Sequence, residues 1–345
     1  MSDLRIRTAL SYDDVLLVPQ YSDIKSRGEI DISTDLGHGL KLTLPVLASP
    51  MDTISEEQMA IAVDKSGGAA IIHRYNSIEE QERMVAAAVS GAQDNVGAAV
   101  GVTGDYLERA SAMALAGATF VCVDVAHGHH IAMENALRRL RTMLGKDFHI
   151  MAGNVATVDG INDLAKWGAT SVRCNIGGGS ICSTRIQTGH GLPGLQTILE
   201  CAHTAYDVKI IADGGIKNSG DMVKALAAGA DAVMVGSLLA GVDEAPGEIF
   251  KDADGTRWKS YRGMASKEAQ IEWRGKYSSF EGVATRVPWR GPVEHILSDL
   301  ERGIRSGCSY SGARNLSELR AKAEFVSQTS AGFSESKTHI DTRTF

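Results

Sequence analysis

The chain has 345 residues, of which 43% are hydrophobic, which is enough apolar content for one large core or two ordinary domains. Its formal net charge of −7 and the absence of a basic block exclude the usual nucleic-acid surface, because phosphate binding needs clustered Lys and Arg. No apolar run of membrane-spanning length, no signal-peptide pattern and five cysteines without paired spacing predict a cytoplasmic protein in a reducing compartment, with neither nucleic acid nor membrane as partner.

Short apolar runs alternate with amphipathic segments from residue 45 onward. The runs are continuously apolar, as expected for parallel strands that are covered on both faces. Serines followed by acidic residues predict helix N-caps at Ser55, Ser77 and Ser219. The eight predicted strands are residues 45–49, 69–73, 96–102, 120–126, 149–156, 170–175, 209–216 and 232–237.

Eight strand–helix units predict an α/β protein with a single-domain (β/α)8 TIM barrel. A doubly wound open sheet is the alternative, which the count of eight and the lack of G-x-G-x-x-G after the first strand disfavour. We predict an N-terminal lead-in over residues 1–44 and a catalytic barrel over residues 45–306. A short flap is expected at about residues 262–290, and a C-terminal tail over residues 307–345.

Barrels place their chemistry on the loops that follow the strands, and the loop after the sixth predicted strand is the most informative. There, Cys182 follows a glycine run at residues 177–179 and is close to Thr184. A thiol on a mobile glycine-rich loop can act as a nucleophile and still move away from the substrate. A plain strand-to-helix turn is the alternative interpretation.

The ends of the seventh and eighth predicted strands indicate an anion site. Residues 213–215 read Asp-Gly-Gly, and residues 236–237 read Gly-Ser. Glycine lets backbone amides approach phosphate oxygens, and barrels often bind phosphate at these two loops. Ser180 adds a hydroxyl, and Asp213 is suited to a ribose diol, with a helix N-cap as its alternative role.

Taken together, the motifs resemble the family of IMP dehydrogenases and GMP reductases over nearly the whole chain. Two positions depart from the family pattern, because Asn175 and Gly178 stand where Gly and Pro are usual. The matching motifs are SYDDVLLVP (11–19), SPMDT (49–53), DVAHGH (124–129), GNV (153–155), GSICSTR (179–185), ADGGI (212–216), YRGM (261–264) and RSGCSYSGA (305–313).

The resemblance implies that the Cys182 thiolate attacks C2 of a purine nucleotide and that hydride moves between C2 and a nicotinamide cofactor. Thr184 then corresponds to the hydroxyl beside the thioimidate carbon. Glu281 corresponds to the glutamate that handles proton transfer during ammonia release.

The resemblance also implies the binding residues. Met51 and Met264 would flank the purine, although core packing is an alternative for both, and Asp124 would meet the nicotinamide ribose unless it is a strand-end turn residue. The implied substrate-binding residues are Ser49, Met51, Ser180, Asp213, Gly214, Gly215, Gly236, Ser237, Tyr261, Gly263, Met264 and Ala265. The implied cofactor-binding residues are Asp124, Ala126, His127 and Gly153.

A monovalent cation and a homo-oligomer follow from the same resemblance. The backbone carbonyls of Gly177, Gly179 and Cys182 would bind the cation, with K⁺ as the candidate. Glu335 of a neighbouring subunit would contribute, where Lys337 replaces the usual histidine. The expected assembly is a homotetramer or an octamer.

Three features bear on the choice of reaction. Residues 73 and 96 are too close in sequence to enclose the tandem regulatory domain that is usual in the dehydrogenase. Residues 264–281 lack the Arg-Tyr pair that activates water there, whereas residues 279–282 resemble the reductase. Residues 12–14, 126–129, 219–221 and 335–336 look dehydrogenase-like instead.

Because hydrolysis of a thioimidate needs a positioned base, we predict an NADPH-dependent GMP reductase. An NAD-dependent IMP dehydrogenase without the regulatory domain is the alternative enzyme, and a nucleotide-binding scaffold without catalysis is the alternative of another class. NADH remains an alternative to NADPH as the reductant.

Overall fold

The computed structural model describes residues 6–92, 94–277 and 281–336. Its strands are β1 (Val15–Leu17), β2 (Thr34–Asp35), β3 (Lys41–Leu42), β4 (Val46–Ala48), β5 (Ala69–Ile72), β6 (Val96–Val100), β7 (Phe120–Asp124), β8 (His149–Val155), β9 (Ser171–Cys174), β10 (Lys209–Asp213), β11 (Ala232–Val235), β12 (Phe250–Lys251), β13 (Arg257–Arg262), β14 (Ala284–Pro288) and β15 (Phe325–Ser327). Its helices are α1 (Glu57–Lys65), α2 (Ile78–Gly91), α3 (Tyr106–Leu115), α4 (Ile131–Leu144), α5 (Val158–Trp167), α6 (Thr184–Thr188), α7 (Gly194–Cys201), α8 (Ser219–Ala227), α9 (Lys267–Arg274), α10 (Val293–Tyr310), α11 (Leu316–Lys322) and α12 (Ser330–Glu335).

Strands β4 to β11 form a closed parallel barrel, in which β11 pairs with β4. Each of the eight predicted runs contains one barrel strand, so the predicted (β/α)8 barrel is confirmed and the open sheet is excluded. Strands β5 and β11 are buried along their whole length. The reason is that successive side chains face the barrel interior and the surrounding helices in turn.

The barrel interior is filled by large apolar side chains, among them Phe120 and Met151. A Cβ at Gly97 would lie 2.3 Å from the Phe120 ring, so glycine on the neighbouring strand makes room for that ring. The β2–β3 hairpin covers the N-terminal end of the barrel, where the carbonyl of Gly37 contacts Nδ1 of His149 at 3.0 Å. The N-terminal lead-in therefore closes one end and leaves the opposite end open for a site.

Of the three predicted serine N-caps, one is confirmed. Ser77 caps α2 by accepting from the backbone N–H of Glu80. The predictions at Ser55 and Ser219 are wrong by one residue, because Glu56 and Asn218 occupy the cap positions of α1 and α8. The Asn218 side chain accepts a backbone N–H as well as serine would, and it stands one residue earlier in the chain.

The C-terminal part of the chain is joined to the barrel by α10. This helix runs through the predicted tail boundary at residue 307. Gly307 allows close packing on α8, since a Cβ there would lie 2.5 Å from Cγ2 of Val223. Beyond α10, β15 pairs antiparallel with β1, which connects the two ends of the chain. Lys337 and residues 338–345 lie outside the described residues.

A separate layer lies over the open end of the barrel. Strands β12, β13 and β14 form an antiparallel sheet, and α9 lies between β13 and β14 in sequence. This layer includes the predicted flap at about residues 262–290, of which residues 278–280 lie outside the described part. Within the described ranges, no helix is both long enough and apolar enough to cross a membrane.

Candidate active site

A cavity of about 370 Å³ opens at the C-terminal ends of the barrel strands, beneath the flap layer. Most of the predicted site residues line it, including the catalytic candidates Cys182, Thr184 and Glu281. The other predicted residues that line the cavity are Ser49, Met51, Asp124, Ala126, Gly177, Gly179, Ser180, Asp213, Gly214, Gly215, Gly236, Ser237, Tyr261, Gly263, Met264 and Ala265.

The three catalytic candidates form a connected chain of hydrogen bonds. The Cys182 thiol donates to Oγ1 of Thr184 at 3.1 Å, and that hydroxyl donates to Oε2 of Glu281 at 2.7 Å. Residues 97 positions apart in sequence are thereby joined, because the flap places Glu281 over the start of α6. A proton can move between the thiol and the carboxylate through one hydroxyl.

Backbone hydrogen bonds attach the flap to the Cys182 loop at this point. The Ser183 N–H donates to the carbonyl of Glu281 at 2.8 Å, and the Val283 N–H donates to the carbonyl of Ile181 at 3.0 Å. The Glu281 N–H in turn donates to the carbonyl of Ala265 at 3.0 Å. Glu281 is therefore held from both sides by main chain, which fixes its carboxylate relative to Thr184.

The remaining four thiols are all buried, in contrast to Cys182. Burial raises the pKa of Cys122 to about 12 and the pKa of Cys308 to about 11. Thiols with such pKa values stay protonated and are poor nucleophiles at neutral pH. The burial of these four cysteines indicates a structural role, whereas Cys182 is half-exposed.

The predicted phosphate loops converge on one side of the cavity. Gly214 and Gly215 have φ angles of 86° and 78°, which lie in the left-handed region that favours glycine. A Cβ at Gly236 would lie 3.4 Å from the Tyr261 hydroxyl and 3.5 Å from Oγ of Ser49. Glycine at residue 236 therefore leaves space among these hydroxyl groups for an anion's oxygens.

Arg173 lines the cavity and was not singled out by the sequence analysis. Its guanidinium lies in the barrel and forms ion pairs with Asp124 at 2.5 Å and with Asp213 at 2.9 Å. Burial alone would lower the pKa of Arg173, but the charges of Asp213 and Asp124 outweigh it and raise the pKa above its usual value. Its signal in the sequence is a lone arginine inside an apolar strand.

The two aspartates predicted to meet sugar hydroxyls thus share one cation. Asp213 also accepts from Nδ2 of Asn154 at 2.8 Å. Gly153 makes room for Arg173, since a Cβ at residue 153 would lie 2.6 Å from Cβ of Arg173. Gly153 does not line the cavity, so its place in the fold is accounted for by this packing against β9.

An aromatic wall borders the cavity and was not predicted. The rings of Tyr75 and Trp273 stack at 4.1 Å, which joins the loop after β5 to helix α9 of the flap. The Arg74 guanidinium lies 5.6 Å from each ring, and its Nη2 donates to the carbonyl of Asp124 at 3.1 Å. Cation–π contacts of this kind fix the flap over the mouth.

Besides Gly153, two predicted residues lie away from the cavity within a single chain. His127 is exposed beyond the end of β7, and Glu335 is exposed in α12. Among residues 6–92, 94–277 and 281–336, no group of three or more His, Cys, Asp or Glu side chains is arranged to hold a metal ion. A cation bound by backbone carbonyls is a different kind of site, and Gly177, Gly179 and Cys182 lie together on one loop.

Comparisons with known proteins agree with this geometry. A sequence model of the IMP dehydrogenase / GMP reductase domain matches residues 9–339. An inosine-5'-monophosphate dehydrogenase of Nitrosopumilus maritimus is 32% identical over 475 aligned positions, which cover 97% of this chain and 99% of the relative. A GMP reductase of Leishmania major is 31% identical over 475 positions, which cover 96% of each chain.

A solved structure is similar over almost the same length. It is the crystal structure of a cysteine-to-alanine variant of GMP reductase from Trypanosoma brucei in complex with guanosine 5'-monophosphate. The TM-score is 0.92 at 30% identity, and the match covers 97% of this chain and 98% of the other.

The family match places this barrel, with its thiol, threonine and glutamate at the mouth, among oxidoreductases whose family uses nicotinamide cofactors. The chain belongs to the IMP dehydrogenase / GMP reductase family.

Proposed function

We propose that this protein is a GMP reductase, which converts GMP to IMP and ammonia with NADPH as the reductant. The observation that carries the proposal is the hydrogen-bonded chain from Cys182 through Thr184 to Glu281. Loss of an amino group as ammonia requires a proton at the leaving nitrogen. A carboxylate joined to the thiol by one hydroxyl supplies a path for that proton.

In the first step, the Cys182 sulfur bonds to C2 of GMP and the bond from C2 to the exocyclic nitrogen breaks. The thiol proton passes through Thr184 to Glu281 and from there to the departing nitrogen, which leaves as ammonia. NADPH, when bound, supplies the hydride that C2 receives. The bond between C2 and sulfur then breaks, and Cys182 leaves as the thiolate to release IMP.

The nucleotide is held by the residues on the anion side of the cavity. In this proposal, the amides of Gly215 and Gly236 and the hydroxyls of Ser49, Ser180 and Ser237 bind the phosphate. Asp213 accepts from the ribose hydroxyls, and its carboxylate is held in place by the ion pair with Arg173 at 2.9 Å. Met51, Tyr261, Gly214, Gly263, Met264 and Ala265 enclose the nucleotide from the barrel and flap sides.

The nicotinamide end of the cofactor fits the other side of the cavity. Asp124, Ala126 and Arg74 line that side, and the buried Nε of Arg74 has no partner among the described residues. A carboxamide oxygen is the kind of acceptor that such a guanidinium binds. His127, exposed at the rim, is proposed to meet the cofactor outside the cavity.

The alternative reaction is the NAD-dependent oxidation of IMP to XMP, and names of the relatives favour it, since many are IMP dehydrogenases. Hydrolysis needs a base that activates water, and residues 264–281 contain no Arg-Tyr pair. The absence of a tandem regulatory domain between residues 73 and 96 does not distinguish a reductase from a dehydrogenase. The alignment with the Leishmania reductase is as long as those with dehydrogenases, so both classes contain residues that this chain lacks.

A monovalent cation such as K⁺ is also part of the proposal. The carbonyls of Gly177, Gly179 and Cys182 would hold it, together with Glu335 of a neighbouring subunit. The Gly179 carbonyl already accepts from the Cys182 N–H at 3.1 Å, but a carbonyl oxygen has a second lone pair. Bound there, the cation would stabilise the turn that presents Cys182.

One experiment tests the reaction directly. Purified protein is incubated with GMP or IMP and each of NADPH, NADH, NADP⁺ and NAD⁺, while ammonia and nicotinamide absorbance are measured together. We expect oxidation of NADPH with GMP, with one ammonia released per NADPH consumed. Reduction of NAD⁺ with IMP, without turnover of GMP, would instead support the dehydrogenase. The absence of turnover in every combination would support a binding scaffold.

A second prediction concerns assembly. If Glu335 of one subunit reaches the Gly177 loop of another, the active protein is a homotetramer or an octamer. Light scattering of the purified protein at assay concentration measures its mass against the 36.7 kDa chain. A fully active monomer would contradict both the assembly and the shared cation site.

A further inference from the structure

The side chain of Asn175 lies beneath the loop that carries Cys182. The residue follows β9 directly and is 3% exposed. Its Nδ2 donates to the carbonyl of Gly214 at 3.1 Å, and its backbone N–H donates to the carbonyl of Val155 at 2.9 Å. The amide therefore joins the start of the Cys182 loop to the loop that follows β10.

The Asn175 amide lies so close to Gly178 that it leaves no space for a side chain at residue 178. A Cβ built at residue 178 would lie 2.1 Å from Nδ2 of Asn175 and within 2.9 Å of its Cγ and Oδ1. The φ angle of Gly178 is outside the left-handed region, so the backbone conformation itself would accept a side chain. What excludes a side chain at residue 178 is the Asn175 amide.

The same amide lies beside the place where these two loops pack backbone against backbone. A Cβ at Gly214 would lie 3.2 Å from the backbone nitrogen of Gly179 and 3.5 Å from Nδ2 of Asn175. A Cβ at Gly215 would lie 3.3 Å from the carbonyl oxygen of Gly178. Moving Asn175 would therefore move the Cys182 loop against the loop proposed to bind ribose and phosphate.

The Asn175 amide is only half satisfied. Its Nδ2 donates to Gly214, whereas its Oδ1 is buried and has no hydrogen-bond partner among the described residues. A buried acceptor without a partner disfavours the folded state. What the amide contributes to the structure is therefore the Nδ2 contact, which joins the Cys182 loop to Gly214.

We infer that Asn175 is a positioning residue for Cys182 and that Gly178 is its steric partner. The two departures from the family pattern are then one coupled change rather than two independent ones. The contact with Gly214 sets the distance between the sulfur of Cys182 and the bound nucleotide. The kinetic part of this inference rests on the proposed function, whereas the coupling of the two residues does not.

A double-mutant cycle tests the pair, with Gly178→Ala, Asn175→Gly and the double variant. Gly178→Ala forces the loop away from the amide and is expected to lower kcat about tenfold to a hundredfold, because small misplacements of a reacting group are costly. Asn175→Gly removes every atom that would collide. The kcat of the double variant should therefore be no lower than that of Asn175→Gly alone. In all three variants, we expect KM for GMP to change less than kcat.

Alkylation of Cys182 by iodoacetamide, without nucleotide, gives a readout that does not depend on the reaction. We expect faster alkylation in Gly178→Ala and a return toward the wild-type rate in the double variant, after subtraction of the rate of a Cys182→Ala protein. Gly28→Ala is the matched control, since a Cβ there meets only Oγ of Ser26 at an ordinary 3.5 Å. Its kcat and alkylation rate should equal those of the wild type.

The outcomes separate the two proposals. If the wild type does not turn over GMP, the proposed function fails, and the alkylation series still tests the pair. Independent effects, in which the double variant shows the product of the two single changes, would overturn the inference. If Gly178→Ala does not fold, recovery of folding by the second change supports the coupling, and failure of the double variant to fold contradicts it.

Discussion

Replacement of Cys182 by alanine is expected to abolish turnover of GMP and to leave nucleotide affinity within about tenfold of the wild type. The sulfur is the proposed attacking atom, and it ends the hydrogen-bonded chain to Glu281. The phosphate and ribose are bound by other residues, so the variant should still bind. Steady-state oxidation of NADPH measures the first quantity, and titration calorimetry with GMP measures the second.

The matched control is Cys308→Ala, which removes a buried thiol that does not line the cavity. That variant should keep its activity, although loss of a buried sulfur will lower its thermal midpoint. Activity of Cys182→Ala within a few-fold of the wild type would show that another group attacks the purine.

Replacement of Glu281 by glutamine should slow ammonia release about 10²–10⁴-fold, the usual contribution of general acid–base catalysis. Glutamine has nearly the same shape as glutamate, but it cannot take the proton from the Thr184 hydroxyl, which lies 2.7 Å from the carboxylate. The loss should appear in the rate of ammonia formation in a single turnover, while Kd for GMP changes much less.

Glu268→Gln is the control for this variant, because Glu268 is an exposed glutamate in α9 of the same flap. It should leave both the ammonia rate and Kd unchanged. If Glu281→Gln weakens GMP binding as much as it slows release, Glu281 recognises the purine rather than moving a proton. An unchanged ammonia rate would exclude it from the proposed proton path.

The barrel was predictable because its strands carry a local signal. Continuous apolar runs such as Val96–Val100 can be read without knowing their neighbours, since burial on both faces removes any polar alternation. The caps show the limit of local reading. Ser219 and Asn218 are equally good cap residues by type, and only the actual start of α8 decides between them.

Arg173 could not be assigned a role from the sequence. A single arginine in an apolar strand has no meaning until the two aspartates that face it are known, and these stand at the ends of β7 and β10. The strand order of the barrel brings them together around one guanidinium. Asp124 and Asp213, which were predicted separately, thus belong to one charged group with Arg173.

By itself, the sequence determined the strand count, and it singled out the Cys182 loop and the glycines at the ends of β10 and β11, because each depends on residue type and near neighbours. The resemblance implied the role of Glu281, but only the tertiary structure showed the hydrogen bonds that join it through Thr184 to Cys182, since the flap must fold back over the barrel. It also decided that Asn175 excludes a side chain at Gly178. Contacts between loops depend on the distance between two backbones in space, and that distance cannot be read from the order of residues in the chain.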